Sequence, residues 1–154
     1  MEKIASFTAD HTKITPGIYV SRIDGDITTY DLRMKKPNGG NYLSDLEMHT
    51  FEHMLATFMR NGKLKDSVIY VGPMGCRTGF YLLIRDADNE RTLDALKDAL
   101  AGIMTYEGKV PGADIKECGN YRQLDLAAAK KVTAEYLAAL QSKKHTFKYE
   151  GDPV

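Results

Sequence analysis

The stretch His49-Thr50-Phe51-Glu52-His53 sets two imidazoles four residues apart with a carboxylate beside them. On an α-helix, which turns about 100° per residue, the two rings lie about 40° apart around the axis and can bind one metal ion together. Glu52 falls on the same side, placed to move protons next to that ion; the order His-x-x-Glu-His reverses the commoner zinc-protease string. The plainer alternative is a helix with two polar histidines on a mixed face. Two imidazoles are also too few, because a catalytic ion of this type usually takes three protein ligands and keeps one position for water or substrate. A third donor is therefore sought on a loop. Cys118, between Glu117 and Gly119 ahead of a helix, is the better candidate of the two cysteines. Cys76, in Met74-Gly75-Cys76-Arg77-Thr78-Gly79, lies in a turn where Arg77 or the metal would favour the reactive thiolate form. On spacing alone, either cysteine is as readily a small buried hydrophobe.

The elements that must carry these residues are legible. Ser44-Asp45-Leu46-Glu47 reads as a capping box, in which the serine hydroxyl accepts from the amide three residues on while the glutamate reaches back. The helix it opens places Leu46, His49, His53, Ala56 and Met59 on one inward stripe and stops at Asn61-Gly62, expected to be a left-handed terminus. Imidazoles on an apolar stripe need partners, since burying an uncompensated polar ring costs a few kcal/mol. Residues 17–23 and 27–34 are β-rich runs joined by Asp24-Gly25-Asp26, a hairpin signal, and residues 67–71 and 79–85 read as two more strands. A second helix carries Leu93, Leu96, Leu100, Ile103 and Met104, and a third carries Tyr136, Leu137 and Leu140. Between them runs a loop over residues 110–120. Hairpins and helices of this size predict an α+β fold, an antiparallel β-sheet with helices packed on one face, in a single domain spanning 1–154.

Composition narrows the function classes. A chain of 154 residues buries about two-thirds of its unfolded surface as one domain. Lys+Arg and Asp+Glu are equal at 21 each, so no global field favours nucleic acid or an anionic membrane. The first six residues lack the apolar run of a signal peptide, and no stretch approaches the ~20 apolar residues of a membrane span, which points to a cytoplasmic protein with reduced thiols. His145, in the charged segment 142–145, reads as solvated and His11, on its own, as a surface loop residue, while an edge charge is the plainer alternative for Arg33 on its strand.

Six strings occur together in this order: Ser6-Phe7-Thr8-Ala9-Asp10-His11, Tyr30-Asp31-Leu32-Arg33, Lys36-Pro37-Asn38, His49-Thr50-Phe51-Glu52-His53, Pro73-Met74-Gly75-Cys76-Arg77-Thr78-Gly79 and Glu117-Cys118-Gly119-Asn120-Tyr121. Their set resembles the S-ribosylhomocysteine lyase (LuxS) family over nearly the whole chain. One departure is Leu124 ahead of Asp125-Leu126, where the family often has histidine. The resemblance implies that His49, His53 and Cys118 are metal ligands, Cys76 and Glu52 acid/base residues, and Ser6, His11 and Arg33 substrate-binding positions. It implies one divalent metal per chain, typically iron(II), with zinc or cobalt able to replace it. The implied substrate is S-ribosyl-L-homocysteine, whose sugar carbonyl migrates from carbon 1 to carbon 3 before β-elimination. The products would be L-homocysteine and 4,5-dihydroxy-2,3-pentanedione, the autoinducer-2 precursor of quorum sensing, with homocysteine returned to the activated methyl cycle. The resemblance also implies a cytoplasmic homodimer with shared sites, in which Ser6, His11 and Arg33 reach the partner's metal. A Cys76→Ala chain would then complement a His11→Ala or Arg33→Ala chain, and Tyr19, Ile27, Tyr30 and Leu32 would form the apolar layer against the partner. Two other readings are open to these residues: a small metallohydrolase in which Glu52 activates water, and a closed structural Cys2His2 zinc site that uses both thiols.

Overall fold

The computed structural model describes residues 1–152. After a short 3-10 turn (Ala5–Phe7), the elements run β1 (Gly17–Asp24), β2 (Ile27–Arg33), α1 (Asp45–Arg60), β3 (Val68–Pro73), β4 (Gly79–Arg85), α2 (Asn89–Thr105) and α3 (Leu126–Gln141). The four strands form one antiparallel sheet in the order β1-β2-β4-β3, and the three helices pack together over one face of it, as the hairpin and helix patterns predict. Asp24 pairs with Ile27 across a tight turn in which Gly25 has a φ of +61°. Only a residue without Cβ takes that angle freely at the first central position of a type II′ turn.

Period-two alternation sorts each strand into a helix side and an outer side. On β2, Thr28, Tyr30 and Leu32 face the helices, Tyr30 and Leu32 with no exposed surface, while Ile27, Thr29, Asp31 and Arg33 face outward. Tyr19 pairs with Asp31 and shares its side. The expected apolar layer of Tyr19, Ile27, Tyr30 and Leu32 is therefore split, because 30 and 32 are of opposite parity to 27. Tyr70, Tyr81 and Leu83 supply the outer apolar surface instead, around a cavity of about 260 Å³ closed by Ile4 and Ala5.

The helix carrying the histidines begins as predicted: Ser44 Oγ accepts from the Glu47 amide at 3.1 Å, and Glu47 Oε1 accepts from the Ser44 amide at 2.9 Å. Its other end departs from expectation. Asn61 has φ −112°, no left-handed residue closes the helix, and the Asn61 side-chain amide donates to the Thr57 carbonyl at 2.7 Å. The side chain satisfies an orphan carbonyl that a left-handed turn would otherwise reach. Phe51 on the inner face of α1 meets Phe80 of β4 edge to face at 5.0 Å, which fixes α1 over the sheet.

His145 also departs from its reading. It is buried, and its Nε2 donates to the Leu140 carbonyl at 2.9 Å, capping the last turn of α3. The segment after it lies along β1, where the Val20 amide donates to the Phe147 carbonyl at 2.7 Å and Phe147 is buried.

Candidate active site

His49 and His53 stand one turn apart on α1, with ring centroids 4.8 Å apart and planes nearly perpendicular. Each ring is oriented by a backbone carbonyl from the loop between α2 and α3: His49 Nδ1 meets the Gln123 carbonyl at 3.0 Å, and His53 Nδ1 meets that of Pro111 at 2.8 Å. A carbonyl can only accept, so Nδ1 carries a proton in both rings, which leaves Nε2 as the nitrogen of each neutral ring that can bind a metal. That is the tautomer a metal ligand needs, with outer partners of the usual kind.

The same loop delivers the third donor. Cys118 Sγ lies 3.4 Å from His49 Nε2 and accepts from the Asn120 amide at 3.4 Å. The three donor atoms lie within 4.8 Å of one another. Metal–sulfur and metal–nitrogen bonds of about 2.3 and 2.0 Å at tetrahedral angles put such donors about 3.5 Å apart, so the trio could hold a single divalent ion once its widest pair draws in. A soft thiolate with two neutral imidazoles also suits zinc or iron(II) better than a hard ion such as magnesium. Thr50 ties the loop to the helix: its Oγ1 donates to the Leu46 carbonyl at 2.8 Å and accepts from the Asp125 amide at 3.0 Å. Asp125 in turn caps α3 through the Ala127 amide, and Leu124 packs against the core. Glu52 is half-buried on α1 and is not part of the trio.

Gly112 has φ +77°, and a Cβ there would lie 2.9 Å from His53 Nδ1. Gly112→Ala is expected to displace the His53 ring from the Pro111 carbonyl and weaken metal binding about 10- to 100-fold. Competition with a chromophoric chelator measures this, and unchanged affinity would show that the ring's outer partner is dispensable.

Cys76 occupies a different place. Its exposed thiol lines a cavity of about 210 Å³ with His11, Pro37, Asn38, Tyr42 and Thr78, and with none of the three metal donors. The structure thus joins His11 to Cys76 within one chain and keeps both apart from the metal trio. Ser6 lies elsewhere, in the 3-10 turn beside the outer apolar cavity. A Cys2His2 centre is not formed, because Cys76 Sγ is instead 3.0 Å from Thr78 Oγ1.

Arg33 is not an edge charge. It is 2 % exposed on the inner strand β2, with Nε and Nη2 donating to the two Asp31 oxygens at 3.0 and 2.6 Å and Nη1 donating to Thr78 Oγ1 at 2.8 Å. Burial opposes its charge, yet the hydrogen bonds and charge of Asp31 outweigh that and raise its pKa above the ordinary arginine value. Arg77, the cation expected beside the thiol, pairs with Asp45 at 2.7 Å instead. Asp31 and Thr78 escaped the sequence reading, although an Asp two residues before an Arg on a strand was the available signal, since i and i+2 share a face.

Comparison with known proteins matches residues 4–147 to the family model described as S-Ribosylhomocysteinase (LuxS). Among curated proteins, the chain is 47 % identical over 149 residues to the S-ribosylhomocysteine lyase of Finegoldia magna, covering 94 % of this chain and 95 % of that one. It is 46 % identical over 143 residues to that of Clostridium beijerinckii (89 % and 90 % covered). It is 43 % identical over 156 aligned positions to that of Borreliella burgdorferi (97 % and 99 % covered).

Proposed function

The chain belongs to the S-ribosylhomocysteinase (LuxS) family, and from that membership we infer how its two clusters divide the cleavage of S-ribosyl-L-homocysteine. It is a carbon–sulfur lyase: the sugar carbonyl migrates from carbon 1 through carbon 2 to carbon 3, and β-elimination then releases L-homocysteine and 4,5-dihydroxy-2,3-pentanedione. The observation that carries the reading is the trio of His49, His53 and Cys118, with both rings held through Nδ1 so that Nε2 is the nitrogen left for a metal, together with a second thiol that takes no part in it.

The three residues would hold one divalent ion, which supplies Lewis acidity toward the sugar oxygens. Iron(II) is the expected metal, with zinc or cobalt as replacements. The remaining work falls to protons. Each carbonyl shift removes a proton from one sugar carbon and returns it to the neighbouring carbon, and we assign that shuttle to the Cys76 sulfur, held by Thr78 and facing His11 across the cavity. Glu52 takes the proton from carbon 4. That electron pair becomes the carbon 4–carbon 5 double bond as the carbon 5–sulfur bond breaks, and homocysteine leaves as a thiolate that is then protonated. Ser6 and His11 bind substrate in this reading, and Arg33 acts through Thr78. Incubation with S-ribosylhomocysteine and detection of free thiol with a disulfide reagent tests the activity; no release above the protein's own cysteines would reject it.

The separation of the clusters also bears on assembly. We propose a cytoplasmic homodimer in which the Cys76 and His11 half of one chain faces the metal and Glu52 half of the other across a twofold axis. The expected complementation then changes: Cys76→Ala and His11→Ala damage the same half, so their mixture stays inactive. Cys76→Ala mixed with Glu52→Gln leaves one intact site in each heterodimer and recovers roughly a quarter of wild-type activity if chains exchange freely. Inactivity of a mixture shown by native mass spectrometry to contain heterodimers would overturn the sharing, and a monomeric mass in sedimentation would overturn the dimer.

A further inference from the structure

The hydrogen bonds around Cys76 do not end at Arg33. Asp31 Oδ2 accepts a second bond, at 2.7 Å, from the hydroxyl of Tyr149, in the segment that lies along β1 after α3. Tyr149 is held there independently of that bond, since its ring stacks on Tyr19 at 5.0 Å and the chain just before it is bridged to Val20. The order of donors is set by chemistry. The guanidinium of Arg33 can only donate, so Thr78 Oγ1 accepts from it and its own proton is left to point at Cys76 Sγ, 3.0 Å away. Tyr149 therefore donates to Asp31, Asp31 orients Arg33, Arg33 polarises the Thr78 hydroxyl, and Thr78 donates to sulfur. Burial, followed by the Asp31 charge, raises the Tyr149 phenol well above its ordinary range, so the first donor stays protonated.

We propose that Tyr149 is a positioning residue for the reaction, its hydroxyl fixing the Asp31–Arg33 pair so that the Thr78 hydroxyl is aimed at the Cys76 sulfur. The inference rests on the reading of Cys76 as proton carrier. A carboxylate that loses one of its three donors no longer fixes the fork of Arg33, and a hydrogen bond between charged or polarised groups depends steeply on alignment. The other groups facing the sulfur are His11 and Tyr42 across the cavity and Tyr81 alongside, while Arg77 is turned away to Asp45. None of these contacts Tyr149 through a hydrogen bond among the described residues.

Tyr149→Phe keeps the ring and its stacking and removes only the hydroxyl. The variant should be alkylated by iodoacetamide at Cys76 roughly tenfold more slowly at neutral pH, with the alkylation–pH profile displaced upward and kcat lowered about as much at nearly unchanged KM. Quantifying the Cys76 peptide by mass spectrometry separates it from Cys118. Thr78→Val should produce the same displacement, and the double variant should be no worse than the larger single one, because both act on one chain of bonds. A lowered melting temperature with wild-type alkylation and kcat would reduce Tyr149 to a structural role and overturn the inference. If Tyr149→Phe does not fold, a chain ended at Lys148 offers rescue by added phenol but not benzene; failure of both variants to fold would place the hydroxyl in the fold and also overturn it. Cys76→Ala distinguishes the two levels. Near-normal turnover there rejects the reading of Cys76 itself, whereas an inactive Cys76→Ala beside an unaffected Tyr149→Phe rejects only the role of Tyr149.

Discussion

Cys76→Ala and Glu52→Gln are each expected to retain a full complement of metal and to lose turnover by about 10²- to 10⁴-fold, the span associated with removing a principal proton carrier. Neither side chain belongs to the donor trio, so the ion has no reason to leave. The two should fail at different points. Without the Cys76 sulfur, the sugar carbon-bound protons should not exchange with deuterated water, because the first carbonyl shift needs that exchange partner. With Glu52→Gln the shifts can proceed, and a ketone intermediate should accumulate because the carbon 4 proton has no acceptor. Metal content by mass spectrometry, homocysteine release and deuterium incorporation by NMR together read the three quantities. Near-normal elimination by Cys76→Ala would refute its role, and loss of metal from Glu52→Gln would place the carboxylate on the ion.

Replacing His49, His53 or Cys118 by alanine should instead take bound metal well below one per chain and abolish activity. A site of three protein donors cannot hold a divalent ion tightly on two, and Cys118 is the only one of the three that can bind as an anion. The histidine variants should additionally loosen the loop between α2 and α3, since His49 and His53 donate to Gln123 and Pro111 there, so amide exchange should rise across residues 110–125. Cys118→Ala keeps both of those bonds and should leave that exchange less changed. Stoichiometric, tightly held metal in Cys118→Ala would remove the thiolate from the ligand set. Purification without oxygen should raise specific activity if iron(II) is the native ion, and equal activity from both preparations would favour zinc.

Much of this protein was written in local order. The capping box at Ser44 and the apolar stripe set α1, and a four-residue spacing necessarily places His49 and His53 on one face of it. The strand runs and the turn at Gly25 were legible for the same reason: each signal acts between residues a few positions apart. Tertiary structure decided what no short-range pattern carries. Parity alone placed Tyr30 and Leu32 in the core and Asp31 on the opposite face, once β2 was fixed between β1 and β4. His145 is as polar in composition as any surface residue, yet the end of α3 needed a donor and the fold buried it as one. Cys118 meets His49 across 69 residues, Thr78 meets Arg33 across 45, and Tyr149 meets Asp31 across 118. Contacts at those separations exist only after the sheet has closed and the helices have packed, because chain entropy opposes them until many form together. The chemistry of the donors was therefore readable one residue at a time, while their division into a metal cluster and a separate thiol cluster arose from packing.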